Sequence, residues 1–83
     1  MVIDVYSKPN CPQCSATYRK LKALGLPFNS INVTEDAEAA KFVRELGYSA
    51  APVVVVREGE GEEVKKHWSG FRPDLLKKEA QND

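Results

Sequence analysis

Cys11-Pro12-Gln13-Cys14 sets two thiols three positions apart, and they are the only cysteines in the chain. Thiols at that spacing close a small disulfide ring and reopen it without disturbing a fold. If Cys14 falls in the first turn of a helix, Cys11 stands at that helix's N-terminus. Unpaired backbone N–H groups and the positive end of the helix dipole there favour a thiolate over a thiol. A thiolate attacks a disulfide sulfur in line to give a mixed disulfide, and a second thiol must then release the product. The motif therefore assigns nucleophilic attack to Cys11 and resolution to Cys14, one helical turn later and facing inward. A zinc site is the competing use of two cysteines, but it needs two further ligands, and His67 is the only histidine. As a structural staple the ring is poor, because the entropy that a crosslink removes from the unfolded chain grows with loop length.

Positioning such a pair takes a strand that ends just before it and a helix that begins just after it. Val2-Ile3-Asp4-Val5-Tyr6 is a β-prone run broken at Ser7-Lys8-Pro9-Asn10. Pro12 then falls at about the first helical position, where a missing N–H costs nothing. Cys14, Tyr18, Leu21 and Leu24 follow at helical spacing, and Gly25 and Pro27 end the helix. Residues 28–33 read as a second strand. Thr34 is the expected N-cap of a second helix, with Glu35, Asp36 and Glu38 complementing its dipole, Ala39, Phe42, Val43 and Leu46 as its apolar stripe, and Gly47 closing it. Ala51-Pro52 leads into Val53-Val54-Val55-Val56, which reads as a central strand buried on both faces. A polar turn over residues 57–63, a returning strand over 64–68, a break at Ser69-Gly70 and a helix from Pro73 to about Ala80 complete the chain, with 81–83 expected to fray. The order is β-α-β-α-β-β-α. It predicts an α/β domain whose first two strands are parallel through a right-handed crossover and whose last two form an antiparallel hairpin. That is the thioredoxin fold in its smallest form, a four-stranded mixed sheet flanked by three helices.

Eighty-three residues make one domain, spanning 1–83. Lys plus Arg number 12 and Asp plus Glu 12, so no global charge draws the chain toward nucleic acid or a membrane surface. No secretory leader and no bilayer-length apolar run is evident. A small secreted domain would normally carry more cysteines closing longer loops. The expectation is a cytoplasmic monomer that binds neither nucleic acid nor membrane and holds no cofactor. Its working group would be the redox-active Cys11–Cys14 disulfide.

Several residues outside the motif carry a functional reading beside a plainer one. Lys8 lies three residues before Cys11, where a cation would further favour the thiolate, or it is a solvated surface lysine. Pro52 occupies a position that in this fold calls for a cis bond after Ala51, setting backbone polar groups beside the active sulfur; an extended peptide would pair there with Ala51 by strand addition. The plainer reading is a trans proline at a strand entry. In Trp68-Ser69-Gly70-Phe71-Arg72-Pro73 two large aromatics flank a bend, either as an apolar docking rim with Arg72 as polar anchor or as a core tryptophan with Phe71 covering the last helix. Asp4 would shuttle a proton for Cys14 if strand alternation aims it at the thiols, and not if it aims away. Tyr6 closes over the site near Pro52 or simply packs there.

These residues together give the chain its likeness. Val5-Tyr6-Ser7-Lys8, Cys11-x-Gln13-Cys14, Ala51-Pro52-Val53-Val54 and above all the hexapeptide Trp68 to Pro73 resemble the NrdH-redoxins, over nearly the whole chain. These are glutaredoxin-sized proteins that behave like thioredoxins. Ordinary glutaredoxins differ at the hexapeptide, with a Gly-Gly bend followed by an acidic residue that holds glutathione. The resemblance implies a hydrogen donor to the large subunit of class Ib ribonucleotide reductase, itself reduced by NADPH-dependent thioredoxin reductase. It implies redox roles for Cys11 and Cys14. Tyr6, Pro12, Gln13, Ala51, Pro52 and the Trp68, Ser69, Gly70, Phe71, Arg72 segment would shape the partner surface around them. Pro12 stands where many members have valine, and the polar turn at 57–63 is longer and more acidic than is usual for the family. Two other readings use the same cysteines: a glutathione-dependent dithiol glutaredoxin, and an iron–sulfur cluster carrier. Each needs a glutathione pocket, which the hexapeptide argues against.

Overall fold

A run of four β-branched residues has no polar face to show water, and the chain places it in the middle of a sheet. The computed structural model describes residues 1–81. Its elements are β1 (Val2–Ser7), α1 (Pro12–Ala23), β2 (Asn29–Asn32), α2 (Ala37–Glu45), β3 (Val53–Glu58), β4 (Glu63–Ser69) and α3 (Pro73–Gln81). The four strands form one sheet in the order β2-β1-β3-β4. β1 runs parallel to β2 and antiparallel to β3, and β3 runs antiparallel to β4. The expected α/β thioredoxin fold, with its mixed sheet and three helices, is the one observed. No helix among the described residues is long and apolar enough to cross a membrane.

Strand alternation splits the core in two. Ile3, Val5, Val54 and Val56 pack with Leu21 and Leu26, Trp68 and Leu76 on the side of α1 and α3. Tyr6, Val53 and Val55 pack with Ala39 and with Phe42, Val43 and Leu46 on the side of α2. The parity decides Asp4. It shares the α2 face with Tyr6, opposite the helix that carries Cys14, and its carboxylate accepts from Arg57 Nε at 3.1 Å and Asn29 Nδ2 at 2.9 Å. The guanidinium of Arg57 lies 5.1 Å from the centre of the Phe42 ring on that same face. Asp4 is therefore an ion-pair partner and not a proton shuttle for the thiols.

Element ends differ from expectation where two capping residues compete. The N-cap of α2 is Asp36, whose carboxylate accepts the Ala39 N–H at 3.0 Å. Thr34 does not cap, because the Asn32 side chain already takes its N–H at 2.9 Å and its hydroxyl at 2.6 Å, closing a turn before the helix can start. β3 and β4 each reach further into the hairpin than the polar residues suggested, leaving a short turn in which Gly59 has φ +84° and Glu62 +49°. Gln81 is helical and not frayed; the fraying expected of Asn82 and Asp83 lies outside the described residues.

One buried charge went unforeseen. Glu79 on α3 is 3 % exposed and accepts from Lys66 Nζ on β4 at 2.8 Å. Removing the lysine leaves a carboxylate with little water around it. Lys66→Met should lower the stability by about 1–3 kcal/mol, read as an earlier midpoint in urea. The double variant Lys66→Met/Glu79→Met should recover most of that loss; no recovery would show that the pair matters for reasons other than the stranded charge.

Candidate active site

Helix α1 begins at the motif, and its first turn organises the sulfurs. Cys11 is the N-cap, in extended conformation at φ −117° and ψ 99°, and its Sγ accepts the Cys14 N–H at 3.2 Å. Pro12 fills the first helical position, and Ser15 N–H bonds the Cys11 carbonyl at 3.1 Å, closing the first helical bond. The two cysteines form a disulfide with their Cα atoms 5.2 Å apart. Burial separates them sharply: Cys14 is 2 % exposed, while Cys11 is only half-buried and Pro12 and Gln13 are exposed. An incoming sulfur can reach Cys11 and not Cys14. When the ring opens, the N–H that now faces Cys11 Sγ, with the helix N-terminus behind it, favours the thiolate there.

The loop before β3 forms a second wall. The Ala51–Pro52 bond is cis, and Pro52 is buried with its carbonyl accepting the Gly70 N–H at 2.8 Å. Ser69 Oγ donates to the Ala50 carbonyl at 3.1 Å, and the Phe71 N–H donates to Gln13 Oε1 at 3.0 Å. The Ser69–Phe71 bend is thus bonded on one side to the proline loop and on the other to the disulfide ring. Gly70 has φ +85°, a conformation open to glycine and strained for other residues.

The structure brings Cys11, Pro12, Gln13 and Cys14 together with Ala51, Pro52, Ser69, Gly70 and Phe71. The other expected site residues lie outside this bonded group. Tyr6 packs against Phe42 at 5.5 Å between ring centres, and its hydroxyl accepts from Arg57 Nη2 at 3.4 Å. Arg57 pairs with Val2, so the phenol hydroxyl leans along the sheet toward that end, while Tyr6, paired with Val53, still lines the groove that Lys8 and Ala51 share. Trp68 is 7 % exposed and belongs to the core with Leu76, leaving Phe71 as the half-exposed aromatic of the bend. Lys8 is exposed and lines a groove of about 270 Å³ that runs past Ala51 to Val43 and Tyr48. Arg72 is held by Asp74 through two hydrogen bonds of 3.2 and 3.0 Å. The bond from Arg72 holds the Asp74 carboxyl below the usual carboxylate range.

Two polar groups around the site were missed. Thr17 is fully buried and its hydroxyl donates to the Gln13 carbonyl at 2.8 Å, bracing the first turn from inside. Its position three after Cys14, on the same helical face, was the available signal. The Tyr18 hydroxyl donates to Ser7 Oγ at 2.6 Å and lies 2.7 Å from Ser30 Oγ, fastening α1 to the ends of β1 and β2. Helical spacing places Tyr18 in the apolar stripe and gives no sign of this polar role.

Comparison with known proteins adds to this geometry. The glutaredoxin family model matches residues 3–60. The glutaredoxin-like protein NrdH of Escherichia coli K12 is 38 % identical over 76 residues, covering 92 % of this chain and 85 % of its own. The chain belongs to the NrdH-redoxin family. A second NrdH, from Lactococcus lactis subsp. cremoris, is 38 % identical over 79 residues, which is 95 % of this redoxin and 100 % of that protein. The solved structure of Escherichia coli NrdH-redoxin matches with a TM-score of 0.80 at 38 % identity, covering 94 % of this chain and 93 % of that one. That protein is described as glutaredoxin-like with a thioredoxin-like activity profile. The present redoxin is a thiol–disulfide oxidoreductase with Cys11–Cys14 as its redox-active pair. Its match to the glutaredoxin model stops before β4, so the bend that walls the disulfide lies outside the matched region.

Proposed function

We propose that this redoxin passes electrons from NADPH-dependent thioredoxin reductase to the large subunit of a class Ib ribonucleotide reductase, as a cytoplasmic monomer that does not use glutathione. The name of its relatives and the thioredoxin-like profile described for one of them support the reading. The observation that carries it lies at the bend. Where glutaredoxins have an acid that holds glutathione, this chain has Gly70-Phe71-Arg72, and the acid that follows, Asp74, is already bonded to Arg72 at 3.0 Å.

The exposure difference between the sulfurs supports one order of steps. The Cys11 thiolate attacks one sulfur of the client disulfide, and the other client sulfur leaves as a thiolate. The buried Cys14, deprotonated in turn, attacks Cys11 Sγ and expels the remaining client sulfur. Two electrons and two protons have then moved to the client, and the Cys11–Cys14 disulfide is restored. The reductase returns two electrons through the same exposed sulfur. Cys14 needs no access to the client at any step, in keeping with its 2 % exposure.

A coupled assay tests the donor. The protein is given oxidised reductase large subunit with NADPH and thioredoxin reductase, or with NADPH, glutathione and glutathione reductase. NADPH consumption is expected in the first system and only background in the second. Turnover confined to the glutathione system would overturn the proposal.

A further inference from the structure

Gln13 is exposed and lies inside the redox ring, yet its carboxamide reaches a residue 58 positions away, accepting the Phe71 N–H at 3.0 Å. The bend is fitted to that carboxamide. A Cβ at residue 70 would stand 3.3 Å from Gln13 Oε1, and the φ of +85° there already disfavours a side chain. The neighbouring donors of the bend are taken as well: Gly70 N–H by the Pro52 carbonyl at 2.8 Å, the Arg72 guanidinium by Asp74. Phe71 N–H differs from these in one respect. Its partner is an exposed side chain that belongs to neither the core nor a backbone ladder, so a single substitution frees it.

We infer that Gln13 is a specificity-determining residue for the thiol that reduces the disulfide. This deepens the reading above, on which glutathione is not the electron source. A backbone N–H open to solvent beside a disulfide gives a charge-assisted hydrogen bond to a carboxylate and holds the thiol of the same molecule near Cys11 Sγ. In this protein the Gln13 carboxamide occupies that donor. A small carboxylate-bearing thiol must displace it or react without an anchor, whereas a protein partner docks over a wider surface and is indifferent to one N–H. The reaction is ordinary exchange. The small thiolate attacks Cys11 Sγ and Cys14 leaves as a thiolate. A second small thiolate then attacks the small-molecule sulfur of the mixed disulfide, releasing the Cys11 thiolate and an oxidised dimer of the thiol, two electrons in all.

The test uses the full chain, oxidised, with glutathione as the carboxylate-bearing thiol and β-mercaptoethanol as the uncharged one. Rates of reduction are read by acid quench, alkylation and intact mass, and expressed as the ratio of glutathione to mercaptoethanol, which cancels changes in the reactivity of the protein disulfide. Gln13→Met keeps the length and loses the acceptor; Gln13→Glu keeps an oxygen for Phe71 N–H. The ratio is expected to rise about tenfold in Gln13→Met, as one charge-assisted hydrogen bond allows, and to stay at or below the parent value in Gln13→Glu. A ratio within twofold of the parent in Gln13→Met, or an equal rise in both variants, would overturn the inference. Turnover of the parent with thioredoxin reductase, measured in parallel, stands apart from this ratio: its absence would sink the donor proposal and leave the Gln13 result to be read by itself.

Discussion

Cys11→Ser is expected to reduce disulfide turnover to background, while Cys14→Ser keeps the first half-reaction and stalls as a mixed disulfide. The asymmetry follows from position. Cys11 Sγ sits at the N-cap of α1, accepts the Cys14 N–H at 3.2 Å and is open to a client. A serine hydroxyl there is not ionised at neutral pH and does not attack sulfur, and the remaining thiol at residue 14 is 2 % exposed, out of a protein client's reach. In Cys14→Ser the nucleophile is intact, but resolution must come from an external thiol. That forfeits the advantage of a tethered neighbour, an effective molarity that reaches about 10⁵ M or more in well-oriented systems. Intact mass spectrometry after exposure to oxidised client should show a one-to-one covalent adduct with Cys14→Ser and none with Cys11→Ser. Full turnover by Cys14→Ser without added thiol would refute the two-thiol mechanism, and adducts on residue 14 in Cys11→Ser would reverse the roles.

How far the sequence carried the reading depends on distance along the chain. Cys11 and Cys14 declare themselves because their chemistry and their helical placement are both local, and so does the buried β3, whose four valines admit one environment. The fold follows from the order of such local units. The cap of α2 was misplaced because Thr34 and Asp36 are both capping residues, and the choice lay with Asn32, which ties up Thr34 first. Asp4 shows a different limit. Alternation groups it with Tyr6, but both faces of this sheet are buried, and only the placement of α1 and α2 says which face the thiols share. The bond from Phe71 to Gln13 spans 58 residues and has no periodic signature, so the motif and the bend were each legible while their joining was not. Glu79 and Lys66 pair for the same reason across β4 and α3.

Trp68→Ala should be the most damaging single change outside the cysteines, and Trp68→Phe should leave partner recognition intact. Trp68 heads the hexapeptide that marks the family resemblance, which invites a role at the surface. Its side chain is instead buried, at 7 % exposure, in the core cluster with Val54, Leu26 and Leu76. Truncating a buried tryptophan costs about 3–5 kcal/mol, against a total of about 5–15 kcal/mol for a single domain, so Trp68→Ala should be largely unfolded at modest urea concentrations. Trp68→Phe keeps most of the apolar volume. It also deletes an indole Nε1 that is buried without a hydrogen-bond partner among the described residues, so no polar bond within them is lost. The phenylalanine variant should remain folded, with KM for thioredoxin reductase within about twofold of the parent, since the effect passes through packing and the bend keeps its bonds from Gly70 to Pro52 and from Phe71 to Gln13. A tenfold rise in KM with an unchanged urea midpoint would mean that the indole meets the partner directly. Phe71→Ala supplies the contrast: that ring is half-exposed at the lip of the site, so its loss should raise KM while costing less stability than the loss of Trp68. With both outcomes in hand, the segment would work through its bend, with Trp68 as the anchor that fixes where the bend can lie and Phe71 as the part that a partner would touch.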